Sequence, residues 1–244
     1  MRNPRIHTEQ LLAAGSQLTL EPGPSAHIAR ALRLQVGDAL TVFNGRGGEY
    51  AATISTLGKK SVTLDIGQHR DIEAESPLAI HLGIAISRGD RMDWLVQKAT
   101  ELGVETLSPL LTARTEVKLK ADRAEKKQQH WQQIAIATCE QCTRNRVPQI
   151  MPLQTLQTWL AATQADQKFV LHHRASATPQ DSQAPATVAL LAGPEGGLSP
   201  VEIALAEAAG YQSLKLGARV MRTETAPLAA MAILQAQWGD MSLP

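Results

Sequence analysis

The stretch that decides the fold is Leu190–Ala226, LLAGPEGGLSPVEIALAEAAGYQSLKLGARVMRTETA. The apolar run Thr187–Ala192 predicts a buried strand, and the glycine-rich loop Gly193–Gly197 follows it directly. Ser199–Pro200 then opens a helical pattern. A second loop, Leu216–Arg222, also follows a predicted strand and precedes a predicted helix. Because backbone N–H groups at such junctions can hold a polar or anionic ligand, we expect an enzyme's binding site here.

Predicted strands and helices alternate from Leu78 to the end of this stretch. Leu78–Ala85 is a continuous apolar run, which is typical of a parallel sheet covered on both faces. Helical patterns follow over 90–102, with Asp90 as the cap, over 121–142 and over 224–238. The segment Ala175–Ala186 lacks a core pattern, and we expect it to be mobile. The alternation predicts an α/β domain.

The first seventy residues predict a small β-rich unit. A helix is expected over Ser25–Leu34 with Ser25 as its N-cap, and Asn44–Gly48 carries a strong hairpin signal. Strands are expected at Gln17–Leu20, Leu40–Phe43, Tyr50–Ser55 and Ser61–Ile66. These elements fit a small barrel. The polar segment Gln68–Pro77 marks the boundary, which divides the chain into domains 1–72 and 73–244.

Composition excludes several classes of protein. The 244 residues carry a net charge of +1, so a nucleic-acid partner would require basic residues concentrated on one face. No apolar run is long enough to cross a bilayer, and the start MRNPRIHTEQ lacks a signal-peptide core. The two cysteines, Cys139 and Cys142, make no disulfide framework. We therefore expect a cytoplasmic protein that does not associate with membranes.

Motifs for several chemistries are missing or incomplete. The Cys139–Cys142 pair lies inside a predicted helix without a second pair of ligands, so two small helix residues are a better interpretation than a zinc or redox site. No nucleophile elbow or HExxH occurs, and neither glycine loop matches a Walker or dinucleotide fingerprint. Hydrolase, phosphate-loop and dinucleotide chemistry therefore have no support.

Arginines are the candidates for contacts with RNA, because the guanidinium fork binds phosphate in a bidentate manner. Arg30 and Arg33 are three apart on the predicted helix and should share a face. A solvated helix face is the simpler explanation for any single arginine, and Arg144 and Arg146 could also only offset the dipole of the long helix. The candidates are Arg2, Arg5, Arg30, Arg33, Arg46, Arg144 and Arg146.

Six motifs together resemble the RsmE family of the SPOUT methyltransferases. Two of them, GPEGGLSPVE at Gly193–Glu202 and LGARVMRTETAPLAAM at Leu216–Met231, are specific to it. The others are HIARALRLQVGD (His27–Asp38), FNGRGGEY (Phe43–Tyr50), QKATELGV (Gln97–Val104) and EQCTRNRVPQI (Glu140–Ile150). The chain departs from the family at Thr143, where glycine is commoner, and at Met221, where leucine is usual.

The resemblance implies a PUA-like RNA-binding barrel followed by a trefoil-knotted α/β domain that holds S-adenosylmethionine. It also implies a homodimer, for which the apolar C-terminal helix with Leu228, Ala229, Ile233 and Leu234 is a candidate surface, although that helix could equally pack only on its own sheet. The residues implied for the cofactor are Leu171, His172, Gly193, Glu195, Gly196, Gly197, Leu216, Gly217, Val220, Met221 and Thr223.

The reaction implied by the resemblance is methylation of uridine N3 in 16S ribosomal RNA of the small subunit, which needs no metal. An arginine near the uracil carbonyls would stabilise the developing charge, and Arg222 is the first candidate, followed by Arg219 and Arg144. Glu195 or Glu101 could act as the base, or solvent could take the proton. Two alternatives stay open: a non-catalytic RNA-binding or ribosome-assembly protein on the same fold, and a methyltransferase for another RNA nucleoside.

Overall fold

The computed structural model describes residues 3–117, 121–172 and 184–241. The chain divides into two compact units, with the cut between Glu75 and Ser76. Residues 136–147 belong to the first unit, whereas the sequence assigned all of 73–244 to one domain. Arg2 and most of the segment 175–186, which was expected to be mobile, lie outside the described residues.

The first unit is built on a five-stranded sheet. Its strands are β1 (Arg5–His7), β2 (Gln17–Thr19), β3 (Ala39–Phe43), β4 (Glu49–Leu57) and β5 (Val62–Arg70). They pair in the order β1-β3-β4-β5-β2, parallel only between β1 and β3. The predicted hairpin at Asn44–Gly48 joins β3 to β4. Inward-facing residues such as Leu40, Ile54 and Leu64 form one buried apolar cluster.

The helix predicted over Ser25–Leu34 begins earlier than expected, and Ser25 is not its cap. Helix α1 spans Pro22–Ala26, so Ser25 lies inside it. The Ser25 hydroxyl donates to the Leu20 carbonyl and accepts from the Val62 N–H, both at 3.1 Å. A hydroxyl with two buried backbone partners stabilises the unit's interior, which the sequence pattern could not indicate.

Arg30 and Arg33, which were expected to share one helix face, have different backbone conformations. A π-helical segment, His27–Leu32, follows α1 and contains Arg30. Arg33 ends this segment in the left-handed conformation, with φ of 55°. The expectation of a shared face is therefore wrong, because only one of the two residues is helical. Both residues are nevertheless exposed.

Two arginines expected to contact RNA are instead buried in ion pairs. The guanidinium of Arg5 is paired with Glu49 and donates to Asn145 Oδ1 at 2.6 Å. Arg144 donates through Nη2 to Glu75 at 2.6 Å and through Nε at 3.1 Å. These contacts tie residues 136–147 into the first unit. Both side chains are enclosed in ion pairs, so the structure offers no exposed guanidinium at either position, and an RNA contact for Arg5 and Arg144 stays a prediction.

The second unit contains a parallel sheet. The strands in its described residues are β6 (Ala79–Ala85), β7 (Val104–Leu111), β8 (Gln149–Ile150), β9 (Gln154–Thr155), β10 (Gln167–Leu171), β11 (Thr187–Ala192) and β12 (Gln212–Leu214). They pair in the order β12-β10-β11-β6-β7-β8, and β9 also pairs with β7. Every described pairing in this sheet is parallel, as the apolar run Leu78–Ala85 predicted.

The helices that begin in the second unit follow its strands. They are α2 (Arg91–Glu101), α3 (Ala121–Cys142), α4 (Leu156–Ala162), α5 (Pro200–Ala208) and α6 (Thr225–Trp238). Asp90 occupies the N-cap position of α2, but its side chain makes no capping hydrogen bond. None of the helices in the described ranges is long and apolar enough to cross a membrane.

A polar network lies within the buried part of the second unit, between β6 and α4. Trp159 Nε1 donates to His81 Nε2 at 3.1 Å, and Ser108 Oγ lies 2.8 Å from the same nitrogen. Burial lowers the pKa of His81 to about 4, so its ring is neutral at pH 7. A Cβ at Gly83 would lie 2.5 Å from the Trp159 ring, so the indole packs where only glycine fits.

Candidate active site

A pocket of about 360 Å³ opens where β10, β11 and β12 end. Its volume is within the range of small-molecule sites, and the carboxyl edge of a parallel sheet is where such sites occur. Leu171 and Leu214 are register partners, so the loops after β10 and β12 leave the sheet at the same level. The His172 N–H donates to the Leu214 carbonyl at 3.1 Å and joins these two loops.

All eleven residues that the sequence assigned to a cofactor line this one pocket. They are Leu171, His172, Gly193, Glu195, Gly196, Gly197, Leu216, Gly217, Val220, Met221 and Thr223. The structure therefore brings together residues that are up to 52 positions apart in the chain. Their shared location supports a common ligand, although their binding roles stay a prediction.

The first glycine loop is shaped so that its backbone forms the wall of the pocket. A Cβ at Gly193 would lie 2.9 Å from the backbone nitrogen of Leu198, too close for any other residue. Gly197 has φ of 68°, and its N–H donates to the Pro194 carbonyl at 2.8 Å. A flat ligand can thus lie directly against the main chain.

Glu202 fixes the position of the loop from the side of α5. It forms a capping box with Ser199, accepting from the Ser199 N–H at 2.8 Å. Its other oxygen accepts from the Ala113 N–H at 2.7 Å. The buried carboxylate therefore connects the start of α5 to the segment after β7.

Arg114 is a pocket residue that the sequence analysis missed. Its Nη1 donates to the Gly196 carbonyl at 2.8 Å, and its side-chain carbons pack beside Gly196. The signal that could have identified it is its place three residues after β7, because charged residues beyond a parallel strand lie near the ligand-binding edge.

The candidate catalytic residues divide into those at the pocket and those away from it. Glu195 and Arg219 line the pocket, but Arg222 does not. The Arg222 carbonyl accepts from the N–H groups of Thr225 and Ala226, so its backbone forms the turn that begins α6. Met221 and Thr223 on either side of it line the pocket and Arg222 does not, so its catalytic role stays a prediction.

The remaining candidates are held in ion pairs. Glu195 accepts from Arg91 Nη1 at 2.7 Å, and Arg91 is another residue that the sequence analysis did not select. Glu101, the alternative base, is paired with Lys98 at 2.7 Å within α2 and does not line the pocket. Arg144 is buried in the first unit with Glu75. Glu101 is therefore not placed at the pocket, and the catalytic role of Arg144 stays a prediction.

The exposed arginines of the first unit remain candidates for RNA. Arg30, Arg33, Arg46 and Arg146 are exposed. The backbones of Arg46 and Arg146 form an isolated antiparallel bridge, which sets two cations side by side. Arg146 is also 3.6 Å from Glu73, a distance at which the ion pair is weak.

Comparisons with known proteins identify the family. An RNA methyltransferase domain matches residues 74–235, and an RNA methyltransferase PUA domain matches residues 25–67. The ribosomal RNA small subunit methyltransferase E of Buchnera aphidicola is 34% identical over 99% of both chains. The chain belongs to the ribosomal RNA small subunit methyltransferase E family. The family resemblance predicted from the motifs is thus confirmed.

Solved structures agree with this assignment. A Legionella pneumophila protein solved with the cofactor S-adenosylmethionine superposes with a TM-score of 0.95 at 40% identity, covering 98% of this chain and all of the other. The ribosomal RNA small subunit methyltransferase E of Neisseria gonorrhoeae, also bound to S-adenosylmethionine, gives 0.92 at 34% identity, covering 99% and 100%. The predicted fold class, a SPOUT-type trefoil-knotted methyltransferase domain after a PUA-like barrel, is confirmed.

Proposed function

We propose that this protein uses S-adenosylmethionine to methylate N3 of a uridine in the 16S RNA of the small ribosomal subunit. The observation that carries the proposal is that all eleven expected cofactor residues line one and the same pocket, in a chain of this family. Two similar proteins were solved with this cofactor bound. An RNA substrate of this kind also implies a cytoplasmic enzyme.

The pocket suits the chemical parts of S-adenosylmethionine. Leu171, Leu216, Val220 and Met221 supply apolar surface for a flat adenine ring. The glycine loop offers main chain at close range, and Glu195 provides a carboxylate for hydroxyl or ammonium groups. The cofactor supplies a methyl group that its sulfonium already activates, so the protein has to bind, orient and stabilise charge.

Arg219 is our candidate for the residue that stabilises charge on the uracil carbonyls. It lines the pocket and is exposed, whereas Arg222 lies outside the lining. A preorganised donor of this kind contributes about 10²–10³-fold to the rate. Arg219→Ala should therefore reduce the single-turnover rate more than Arg222→Ala, with cofactor affinity unchanged by calorimetry. The reverse order would restore Arg222 as the charge stabiliser.

We propose that residues 1–72 bind RNA together with the segment 136–147, which belongs to the same unit, and that the rest of residues 73–244 carries out methyl transfer. The exposed pair Arg46 and Arg146 is our strongest RNA candidate, with Arg30 and Arg33 next. Replacing Arg46 and Arg146 with glutamine should weaken RNA binding and reduce the slope of log affinity against log salt by about two. An unchanged slope would remove these two residues from the interface.

We also propose that the protein is a homodimer. On α6, Leu228 and Leu234 are buried, whereas Ile233 is 53% exposed. An exposed isoleucine on this mostly apolar helix is compatible with a covered surface in an assembly. Sedimentation of Ile233→Asp should show a shift towards monomer, and an unchanged assembly would place the interface elsewhere.

The test of the function is mass spectrometry of ribosomal RNA from a strain lacking the gene. We expect loss of one 3-methyluridine in 16S RNA, and its return when the purified protein and S-adenosylmethionine are added. Loss of another mark would identify a different nucleoside as the target. A protein that shows no affinity for S-adenosylmethionine by calorimetry would instead be a non-catalytic RNA-binding protein.

A further inference from the structure

A second cavity, which we call the Trp94 cavity, lies beside the pocket in the second unit. It measures about 460 Å³ and is lined by Arg88, Gly89, Asp90, Arg91, Trp94 and Glu224. Arg91 connects the two spaces through its ion pair with Glu195, which lines the pocket. Glu224 directly follows the pocket residue Thr223. A ligand in this cavity would therefore adjoin the ligand of the pocket.

Trp94 gives the cavity an unusual aromatic wall. On α2 the residues Met92, Leu95 and Val96 are buried, but the Trp94 side chain is 45% exposed. A tryptophan side chain contributes most to stability or binding when its ring is covered. A flat nucleobase can cover it by stacking on the indole. The position and exposure of this ring are those of a stacking surface.

Glu224 contributes an acceptor that lacks a partner. Its Oε2 is buried and makes no hydrogen bond within the part of the chain that the structure describes. The residue occupies the N-cap position of α6, yet its side chain makes no capping bond. A buried acceptor without a donor costs free energy, so a rotation of the side chain that brings this oxygen to a ligand N–H in the cavity would be favourable.

Arg88 and Arg91 supply hydrogen-bond donors in the lining of the Trp94 cavity. Arg91 pairs with Glu195 at 2.7 Å and Arg88 with Glu116 at 2.8 Å, and all four side chains are more than a third exposed. Exposed ion pairs of this kind are worth little, so both guanidinium groups can turn to a ligand without a large loss of stability. Carbonyl oxygens and phosphate are the acceptors that they fit.

We propose that the Trp94 cavity holds the target uracil, with Trp94 stacked on the ring and Glu224 accepting the proton of N3. This inference rests on the proposed function. Uracil presents an N–H between two carbonyls, which matches a carboxylate acceptor flanked by arginine donors. Cytosine has no proton on N3 and would leave the Glu224 oxygen unpaired, so the same contact selects uracil.

The chemical step balances with these groups. The N3–H bond breaks and its proton passes to the Glu224 carboxylate. The freed N3 electron pair forms the new bond to the methyl carbon as the carbon–sulfur bond breaks and its electrons return to sulfur. Arg91 lines the cavity and would act on the uracil carbonyls together with Arg219 from the pocket, so that both stabilise the negative charge that develops during this step.

The first test compares Glu224→Gln with wild type in single-turnover methylation of an RNA that carries the target uridine. The amide keeps the shape of the side chain but cannot take the proton, so we expect a rate lower by about 100-fold at pH 7. The deficit should shrink when the target is 5-fluorouridine, whose N3–H is more acidic. Glu105→Gln, at an exposed position on β7, is the matched control.

A second pair of variants tests the stacking surface. Trp94→Leu keeps apolar volume but removes the ring, and it should raise the KM for RNA by about tenfold with little change in kcat. Trp94→Phe keeps an aromatic ring and should stay within about threefold of wild type. Equal losses in the two variants, or a changed oligomeric state on sedimentation, would overturn the stacking role.

The outcomes of these experiments distinguish the proposed function, methylation of uridine N3, from the uracil site proposed in the Trp94 cavity. If the wild-type protein methylates N3 of uridine and Glu224→Gln does so at the same rate, the role of Glu224 is wrong and the proposed function stands. A Glu224→Gln deficit that 5-fluorouridine does not reduce would make the residue structural, which also contradicts the inference. A wild-type protein that methylates a different atom or transfers no methyl group would overturn the proposed function and this inference together.

Discussion

At the scale of single residues, Thr143 shows how a backbone conformation limits the choice of side chain. It follows the last residue of α3 with φ of 71°, and its N–H donates to the Cys139 carbonyl at 3.1 Å. A β-branched residue in this left-handed conformation is strained, which gives a physical reason for the family's glycine at this position.

Thr143→Gly should therefore stabilise the protein. Relief of the left-handed strain outweighs the entropy that glycine loses on folding, and we expect a gain of about 0.5–1 kcal/mol in the free energy of unfolding. Thr53→Gly, at an exposed position of β4, makes the same change in extended backbone and should destabilise. Urea denaturation measures both changes in the free energy of unfolding. Changes of the same sign in the two variants would rule out strain as the cause.

His81 should make stability depend on pH. Burial lowers its pKa in the folded protein to about 4, against an ordinary value of 6.5 when unfolded. Between these values the unfolded chain binds more protons, so its contribution to stability is present above pH 6.5 and is lost as the pH falls towards 4. Between pH 7 and 5, His81→Gln should lose about 2 kcal/mol less stability than wild type. Equal losses in urea titrations would contradict a buried neutral ring.

At the scale of elements, two strands of the second unit were predictable because a short, continuous apolar run is typical of a buried parallel strand. The runs Leu78–Ala85 and Thr187–Ala192 predicted β6 and β11 with nearly identical bounds, and Ala121–Cys142 is the observed α3. The helix near Ser25 was not predictable, because its start depends on a hydroxyl whose partners Leu20 and Val62 become neighbours only on folding.

The contact between β6 and α4 depends on Gly83. Alanine there would place its Cβ 2.5 Å from the Trp159 ring, so Gly83→Ala should destabilise by about 1–3 kcal/mol through displacement of the indole. Gly23→Ala is the control, because a Cβ there has nothing within 4 Å. Urea midpoints measure both changes. The double variant Gly83→Ala/Trp159→Phe should recover part of the loss, and a fully additive effect would argue against a direct clash.

At the scale of the whole molecule, the first unit is discontinuous in sequence. Residues 136–147 join it through buried pairs of Arg5 with Asn145 and of Arg144 with Glu75, and through the bond from the His7 N–H to Glu140 at 2.9 Å. Burial raises the pKa of the Glu140 carboxyl. A split at residue 72, as the sequence suggested, separates these partners.

A fragment of residues 1–75 should therefore be much less stable than the same unit in the full chain. It leaves Arg5 without Asn145 and Glu75 without Arg144, and removing one partner of a buried pair costs about 3–5 kcal/mol. Joining residues 136–147 to the fragment through a glycine–serine linker should restore cooperative unfolding, as followed by circular dichroism. Cooperative unfolding of the short fragment at the same temperature would show that the segment is dispensable.

The sequence by itself determined the family and most of the strands and helices, and it predicted the residues that line one pocket, because those features are written in local patterns and in motifs. Only the tertiary structure decided which charged residues are free to act. The side chains of Arg5 and Arg144 are enclosed with carboxylates, Arg222 does not line the pocket, and Glu224 and Trp94 border a cavity beside it. The partner of a charged side chain is set by residues distant in the chain, and no local pattern records that choice.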